Sequence, residues 1–196
     1  MDTKVNKPYP EIKVTVPNET YSLMILDNVG GMNSETSAIC QYIYNHSIAG
    51  EDFLELKKTF LNISMVEMHH LDIFMTLALE LGLDPRWWSC LNDQCTYWSP
   101  SYLNYPNSLE EVLKTAIDAE YQAIDKYMYQ ASIIKDPYIV AILNRIIEDE
   151  ELHIKVLKEG NLRRFVGQVD SISFNGRILL EQGGQIIYVT ERCVFE

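Results

Sequence analysis

Two Glu-x-x-His motifs, Glu67-Met-His-His70 and Glu150-Glu-Leu-His153, each follow a solitary glutamate, Glu35 or Glu120, at nearly the same distance along the chain. In a helix, a spacing of three residues sets the Glu and His of each motif on one face. Four carboxylates and two imidazoles in a duplicated order make the donor set of a two-metal site in a four-helix bundle, where two helices give one Glu each and two give Glu-x-x-His. Such donors suit iron or manganese, and ligand type does not separate the two.

Helix geometry ties these residues together. In an antiparallel helical hairpin, residues at one height lie equidistant from the turn. The midpoint of Glu35 and Glu67 is position 51, inside the turn-like Ala49-Gly50-Glu51-Asp52. The midpoint of Glu120 and Glu150 is position 135, in Lys135-Asp136-Pro137, where Asp136 suits an N-cap and Pro137 a first helical turn. Each pair would then meet about 15 residues, roughly 23 Å, from its loop.

Each donor also sits in a mainly apolar stripe at helical spacing. Glu35 has Met32, Ala38, Ile39 and Tyr42; Glu67 has Phe60, Ile63, Leu71 and Phe74. Glu120 has Leu113, Ala116, Ile117, Ala123 and Ile124; Glu150 has Leu143, Ile146, Ile147, Ile154 and Leu157. A carboxylate in a helical core is costly unless protonated, paired or bound to a cation. Four at one level call for cations.

The elements that would position them follow from caps and periodicity. An extended arm spans residues 1–18, with Ile12 to Val16 alternating before Pro17. The bundle spans 19–160. Its first helix runs from about Glu19 to Ile48, with a weak point at Gly30-Gly31, and its second from about Asp52 to Leu81, stopping at Gly82. Ser108 and Glu111 make a capping box for the third, which reaches about Ile134. The fourth runs from Pro137 to Glu159 and ends at Gly160. Between the second and third lies an aromatic crossover, 83–107, holding Trp87, Trp88 and Trp98, which must climb the bundle and whose aromatic cluster would seal one face of it or a subunit contact.

Beyond Gly160 the period changes to two. Val169 to Phe174, an Asn175-Gly176 turn and Arg177 to Leu180 read as a hairpin, and Gly183-Gly184 turns into Gln185 to Thr190. The fold class is therefore an all-α four-helix core with a small C-terminal β appendage over 161–196.

Composition excludes some functions. A net charge of −12 argues against nucleic-acid binding, and no apolar run is long enough to span a membrane. With no signal peptide at the N-terminus, the chain reads as cytoplasmic. The four cysteines, Cys40, Cys90, Cys95 and Cys193, show no Cys-x-x-Cys spacing; Cys90 and Cys95 could approach each other in a loop, but free thiols are the favoured reading, with Cys40 in the core.

On the paired Glu and Glu-x-x-His pattern, the chain resembles the ferritin-like diiron-carboxylate superfamily, and within it the rubrerythrin and manganese-catalase branches. The resemblance covers about residues 19–159. It implies Glu35 and Glu120 as terminal carboxylates, Glu67 and Glu150 as bridges, and His70 and His153 as one ligand per ion. Tyr42 and Tyr127, each seven residues after a terminal glutamate, look like tyrosines that hydrogen-bond ligand carboxylates, or else they simply fill the core. His69 points elsewhere, and His46 lies three turns from Glu35. Rubrerythrins add a rubredoxin-like Cys-x-x-Cys iron site, which has no counterpart in these cysteines, and a further carboxylate three residues after the third-helix glutamate, where Ala123 stands.

The chemistry implied is that of a dinuclear iron or manganese oxidoreductase acting on hydrogen peroxide or dioxygen, with an external electron donor if the metal is iron. The alternatives are iron oxidation for storage and a structural protein with a non-catalytic metal site. The expected assembly is a homodimer or small homo-oligomer.

Overall fold

The computed structural model describes residues 2–50, 53–91, 94–167, 178–182 and 185–189, with side chains up to Glu159. Five helices carry the first part of the chain: α1 (Glu19–Gly30), α2 (Glu35–Ile48), α3 (Leu54–Glu80), α4 (Leu109–Ile133) and α5 (Pro137–Gly167). A hairpin of β1 (Trp88–Leu91) and β2 (Gln94–Tyr97) and a 3-10 turn (Pro100–Tyr102) lie in the crossover between α3 and α4. A second antiparallel hairpin pairs β3 (Ile178–Gln182) with β4 (Gln185–Val189). The chain divides into two compact units, Met1–Leu157 and Lys158–Glu196. The mostly helical fold with a small C-terminal sheet is the one the periodicities indicate.

The long first helix is two helices, a correction to the sequence reading. A Cβ on Gly30 would lie 2.2 Å from Trp88 N, so the crossover backbone presses onto the bundle where no side chain can stand. The chain leaves α1 at Gly31, whose N–H still reaches Asp27 O, and restarts at Ser34, which caps α2. Side chains supply donors to carbonyls at this break. Lys126 Nζ donates to Asn33 O (2.6 Å) and pairs with the Asp27 carboxylate (2.7 Å), and Thr36 Oγ1 donates to Val29 O (2.6 Å). The break puts Glu35 in the first turn of α2, where the helix dipole favours a negative charge.

The other helix ends obey local chemistry. Gly82, at φ 91°, closes α3, with Leu83 N donating to Ala78 O and Gly82 N to Leu79 O. Ser108 caps α4 and Asp136 caps α5 through the N–H groups of Tyr138 and Ile139. Gly160 does not end α5, contrary to expectation. A single glycine inside a helix costs only about 1 kcal/mol, and the helix-favouring Leu162-Arg163-Arg164 follows it to Gly167.

Cys90 and Cys95 are disulfide-bonded, not free, which corrects a second expectation. Their strands place them directly opposite each other in the β1–β2 register. Cys40 is free and half-buried. The Asn175-Gly176 turn and the strand expected over Val169 to Phe174 lie outside the described residues, as does Cys193. Among the described residues no helix is long and apolar enough to cross a membrane.

Two apolar clusters fill the bundle. One joins Ile25 and Val29 of α1, Phe74 and Leu77 of α3, Ile134 at the end of α4 and Ile142 of α5. The other joins Tyr42 of α2, Phe60 and Ile63 of α3, Val112 and Ala116 of α4 and Leu157 of α5. On α3, α4 and α5 alike, the stretch between the two clusters holds the acidic and imidazole side chains.

Candidate metal centre

At this waist Glu35 comes from α2, Glu67 and His70 from α3, Glu120 from α4, and Glu150 and His153 from α5. All six are buried, none above 3% exposed. Their donor atoms fall into two overlapping quartets, Glu35, Glu67, His70 and Glu150, and Glu67, Glu120, Glu150 and His153, each with its atoms within 4.8 Å of one another. Glu67 and Glu150 belong to both. The six residues that the sequence pattern singled out are thus brought together.

Both imidazoles point Nδ1 inward. His70 Nδ1 is 2.9 Å from Glu67 Oε2 and 3.3 Å from Glu150 Oε1. His153 Nδ1 is 2.9 Å from Glu150 Oε2, 3.2 Å from Glu67 Oε1 and 3.4 Å from Glu120 Oε1. The match is mirror-like because α3 and α5 carry the same motif and enter the waist from opposite ends.

Tyr42 and Tyr127 act crosswise. The Tyr42 hydroxyl donates to Glu120 Oε1, and the Tyr127 hydroxyl to Glu35 Oε1. Each tyrosine therefore braces the terminal glutamate of the opposite helical hairpin, not its own.

Electrostatics at the waist call for positive charge. Burial, then the neighbouring Glu67, raises the Glu35 carboxyl well above the usual range. Burial together with Glu67 and Glu150 pushes Glu120 up to about 8. Burial would lower both imidazoles, yet the surrounding carboxylates, Glu150 for His70 and Glu67 for His153, overcome it and raise them. The phenols of Tyr42 and Tyr127 are raised by burial and by the carboxylates they face.

Some polar atoms crowd close to one another without forming a well-aligned hydrogen bond. Glu67 Oε1, Glu150 Oε2 and both ring nitrogens of His153 are buried and unsatisfied among the described residues. Native interiors rarely leave such atoms unpaired. Three of the four point toward the common centre, and the oxygen and imidazole donors match iron and manganese. The residues present fit a pair of metal ions.

Asp149 was not anticipated from the sequence. It is fully buried, and its Oδ2 lies 3.2 Å from His70 Nε2, on the far side of the ring from the other donors. Arg145 Nη1 and Val5 N approach its Oδ1, and the Tyr9 hydroxyl its Oδ2. Burial would raise this carboxyl, but the hydrogen bonds from His70, Tyr9, Val5 and Arg145 outweigh it and hold it ionised. In sequence the residue sits in Glu148-Asp149-Glu150-Glu151, of which the motif spacing singles out Glu150 alone. Arg145, one turn earlier on α5, is buried beside it and pairs with its Oδ1.

The remaining candidates stand apart. His69 is exposed and packs edge-on against Tyr9, with ring centroids 4.8 Å apart. His46 Nδ1 hydrogen-bonds Lys57 O at 2.9 Å and joins neither quartet. Met32, expected in the stripe beside Glu35, is 68% exposed because the helix break turns it outward.

A cavity of about 520 Å³ leads to the waist between α2 and α4. Small side chains open it, Ser37 and Ala38 on α2 and Ala116, Ala119 and Ala123 on α4, and it reaches Glu35, Glu67, Glu120 and Glu150. Its outer wall is the end of the crossover, Ser101 to Asn104. Trp98 Nε1 donates to Ser37 Oγ (2.9 Å), and Gln41 holds the Asn104 backbone at both N–H and carbonyl. The aromatic crossover thus covers one face and leaves an opening at the donors.

Comparison with known proteins agrees with this architecture. The sequence profile of the family described as Rubrerythrin matches residues 30–161. Two crystal structures of KatB, a manganese catalase from Anabaena, superpose with TM-scores of 0.72 and 0.70 at 20% identity, covering 87% of this chain and 83% of that one. Two curated proteins share short stretches. Caffeate CoA-transferase of Acetobacterium woodii is 44% identical over 50 residues, 26% of this chain and 9% of that enzyme. Acetate CoA-transferase YdiF of Escherichia coli K12 is 38% identical over 42 residues, 21% of this chain. The chain spans less than a tenth of the length of these curated relatives.

Proposed function

The chain belongs to the rubrerythrin family, and from that premise we propose that Glu35, Glu67, His70, Glu120, Glu150 and His153 hold two iron or manganese ions and that the protein decomposes or reduces hydrogen peroxide. The observation that carries this reading is the pair of interlocking buried quartets, with unsatisfied donor atoms aimed at a shared centre. When bound, two redox metals supply two electrons in one-electron shares, the number peroxide consumes.

The protein's own groups do the rest. Glu67 and Glu150 lie in both quartets and would serve both ions. The Tyr42 and Tyr127 hydroxyls restrain the outer carboxylates, and Asp149 keeps the His70 ring facing inward. The apolar clusters on either side keep bulk water from the waist, while the cavity between α2 and α4 admits a small solute to the carboxylate face.

Manganese with catalase-type disproportionation needs no separate reductant, which agrees with cysteines that lack Cys-x-x-Cys spacing. The manganese catalase among the fold relatives supports the same choice. The test is elemental analysis of protein purified without added metal, together with oxygen release from hydrogen peroxide. About two manganese per chain with oxygen release supports the reading. Iron with peroxide consumed only when a reductant is supplied makes it a peroxidase. Absence of bound metal, with no uptake by the apo-protein, overturns it.

A further inference from the structure

The two halves of the site match in their donors and differ behind them. The His70 ring has Asp149 at its back, at 3.2 Å from Nε2. Among the described residues the His153 ring has no such partner, and its Nε2 is buried there without a hydrogen bond. The asymmetry is written in the motifs: the residue before Glu150 is Asp149, and the residue before Glu67 is Val66. We propose that the N-terminal arm, by gripping Asp149 through Tyr9 and Val5, makes the two metal positions unequal, so that the quartet containing His70 loads first and holds its ion more tightly. This rests on reading the six donors as a dinuclear metal site.

The arm and α5 together saturate Asp149. Val5 N donates to Oδ1 at 2.7 Å and Tyr9 Oη to Oδ2 at 2.6 Å. Arg145 Nη1 pairs with Oδ1 at 2.9 Å, and its Nη2 donates to Val5 O and Lys7 O, both at 2.9 Å. With both oxygens fixed, Asp149 presents one acceptor to the His70 Nε2–H and leaves the lone pair on Nδ1, facing the other donors. The Tyr9 hydroxyl lies 3.2 Å from Nε2 and closes the same corner. A ring held in one tautomer and one orientation loses less freedom on binding an ion, and such outer partners are worth about 10–100-fold in metal affinity. His153 lacks this preparation. The arm lies outside residues 30–161 that match the family, so Tyr9 is a positioning residue supplied by a part of the chain beyond the shared bundle.

The experiment is titration of the metal-free full chain with Mn(II), following the six-line electron paramagnetic resonance signal and heat release. The wild type should bind a first equivalent at least about tenfold more tightly than the second. Tyr9→Phe, which removes the hydroxyl and keeps the ring, should weaken the first ion several-fold and leave the second unchanged. Asp149→Asn offers Nε2 an N–H and so favours a proton on Nδ1. It should weaken the first ion by about 10–100-fold. A merely structural role would lower the melting temperature of Tyr9→Phe and leave the ratio of affinities intact. Equal or simultaneous binding of both ions in the wild type, or an unchanged ratio in Tyr9→Phe, overturns the inference and leaves the dinuclear site standing. No binding by the wild type overturns both.

Discussion

Glu67 and Glu150 belong to both donor quartets, whereas Glu35 and Glu120 belong to one each, and on the proposed function this difference has a measurable consequence. Glu35→Ala should lower metal content from about two ions to about one per chain, and Glu67→Ala should abolish binding of both, as read by elemental analysis after dialysis. Tyr42→Phe leaves a Glu120 oxygen buried without its donor, which should destabilise the apo-protein by about 1–3 kcal/mol in urea unfolding. These six donors were legible in the sequence because an i, i+3 motif repeated at matched distances from two turns constrains helix height. Asp149 was not legible. Its burial depends on Arg145 and on an arm some 140 positions away in the chain, and no local pattern reports such a contact. Nor could the spacing say which glutamate each tyrosine would brace, since the crosswise pairing depends on how the two hairpins face each other.

The elements hold these residues at their level through a few specific joints. Gly30 is the clearest, because a methyl group there would meet the Trp87–Trp88 backbone. Gly30→Ala should force the β1–β2 hairpin off α1 and cost about 3 kcal/mol or more, seen as a lower urea midpoint. Asp136 is a second joint. Its carboxylate caps α5 and accepts from Thr15 N at 2.5 Å, joining the arm to the helix start. Burial would raise its pKa, but these N–H donors prevail and depress it below the ordinary 3.8. A depressed folded-state value means the contribution to stability is complete above about pH 3.8 and is lost as pH falls through the lower folded value. Asp136→Ala should cost about 1 kcal/mol near neutrality, and the gap to wild type in urea midpoints of the apo-proteins should close below pH 3.8. The weak point at Gly30-Gly31 was visible as a glycine pair, but a complete break was not, because it is the crossover backbone pressing on Gly30 that interrupts the helix. Gly160 reads as a stop in sequence, yet α5 continues through it to Gly167, because one glycine inside a helix costs only about 1 kcal/mol.

At the scale of the whole bundle, two apolar clusters are separated by a waist of charge, and the fold tolerates that waist only if something neutralises it. Four clustered carboxylates and two imidazoles leave buried atoms unpaired, a situation that costs about 1–3 kcal/mol for each such group. Metal removal should therefore lower the melting temperature, and re-addition should restore it. Saturation at about 100 times the dissociation constant is worth about 2.7 kcal/mol, and a melting temperature indifferent to metal would speak against a site built for ions. The architecture followed from periodicity, because 3.6-residue stripes, two turns and a long crossover leave few alternatives to this bundle. The central claim is tested most directly by anomalous diffraction from crystals of the manganese-loaded protein. Two anomalous peaks are expected, one enclosed by Glu35, Glu67, His70 and Glu150 and the other by Glu67, Glu120, Glu150 and His153. A map with no peak at the waist, or with manganese bound only to surface carboxylates, would contradict the account.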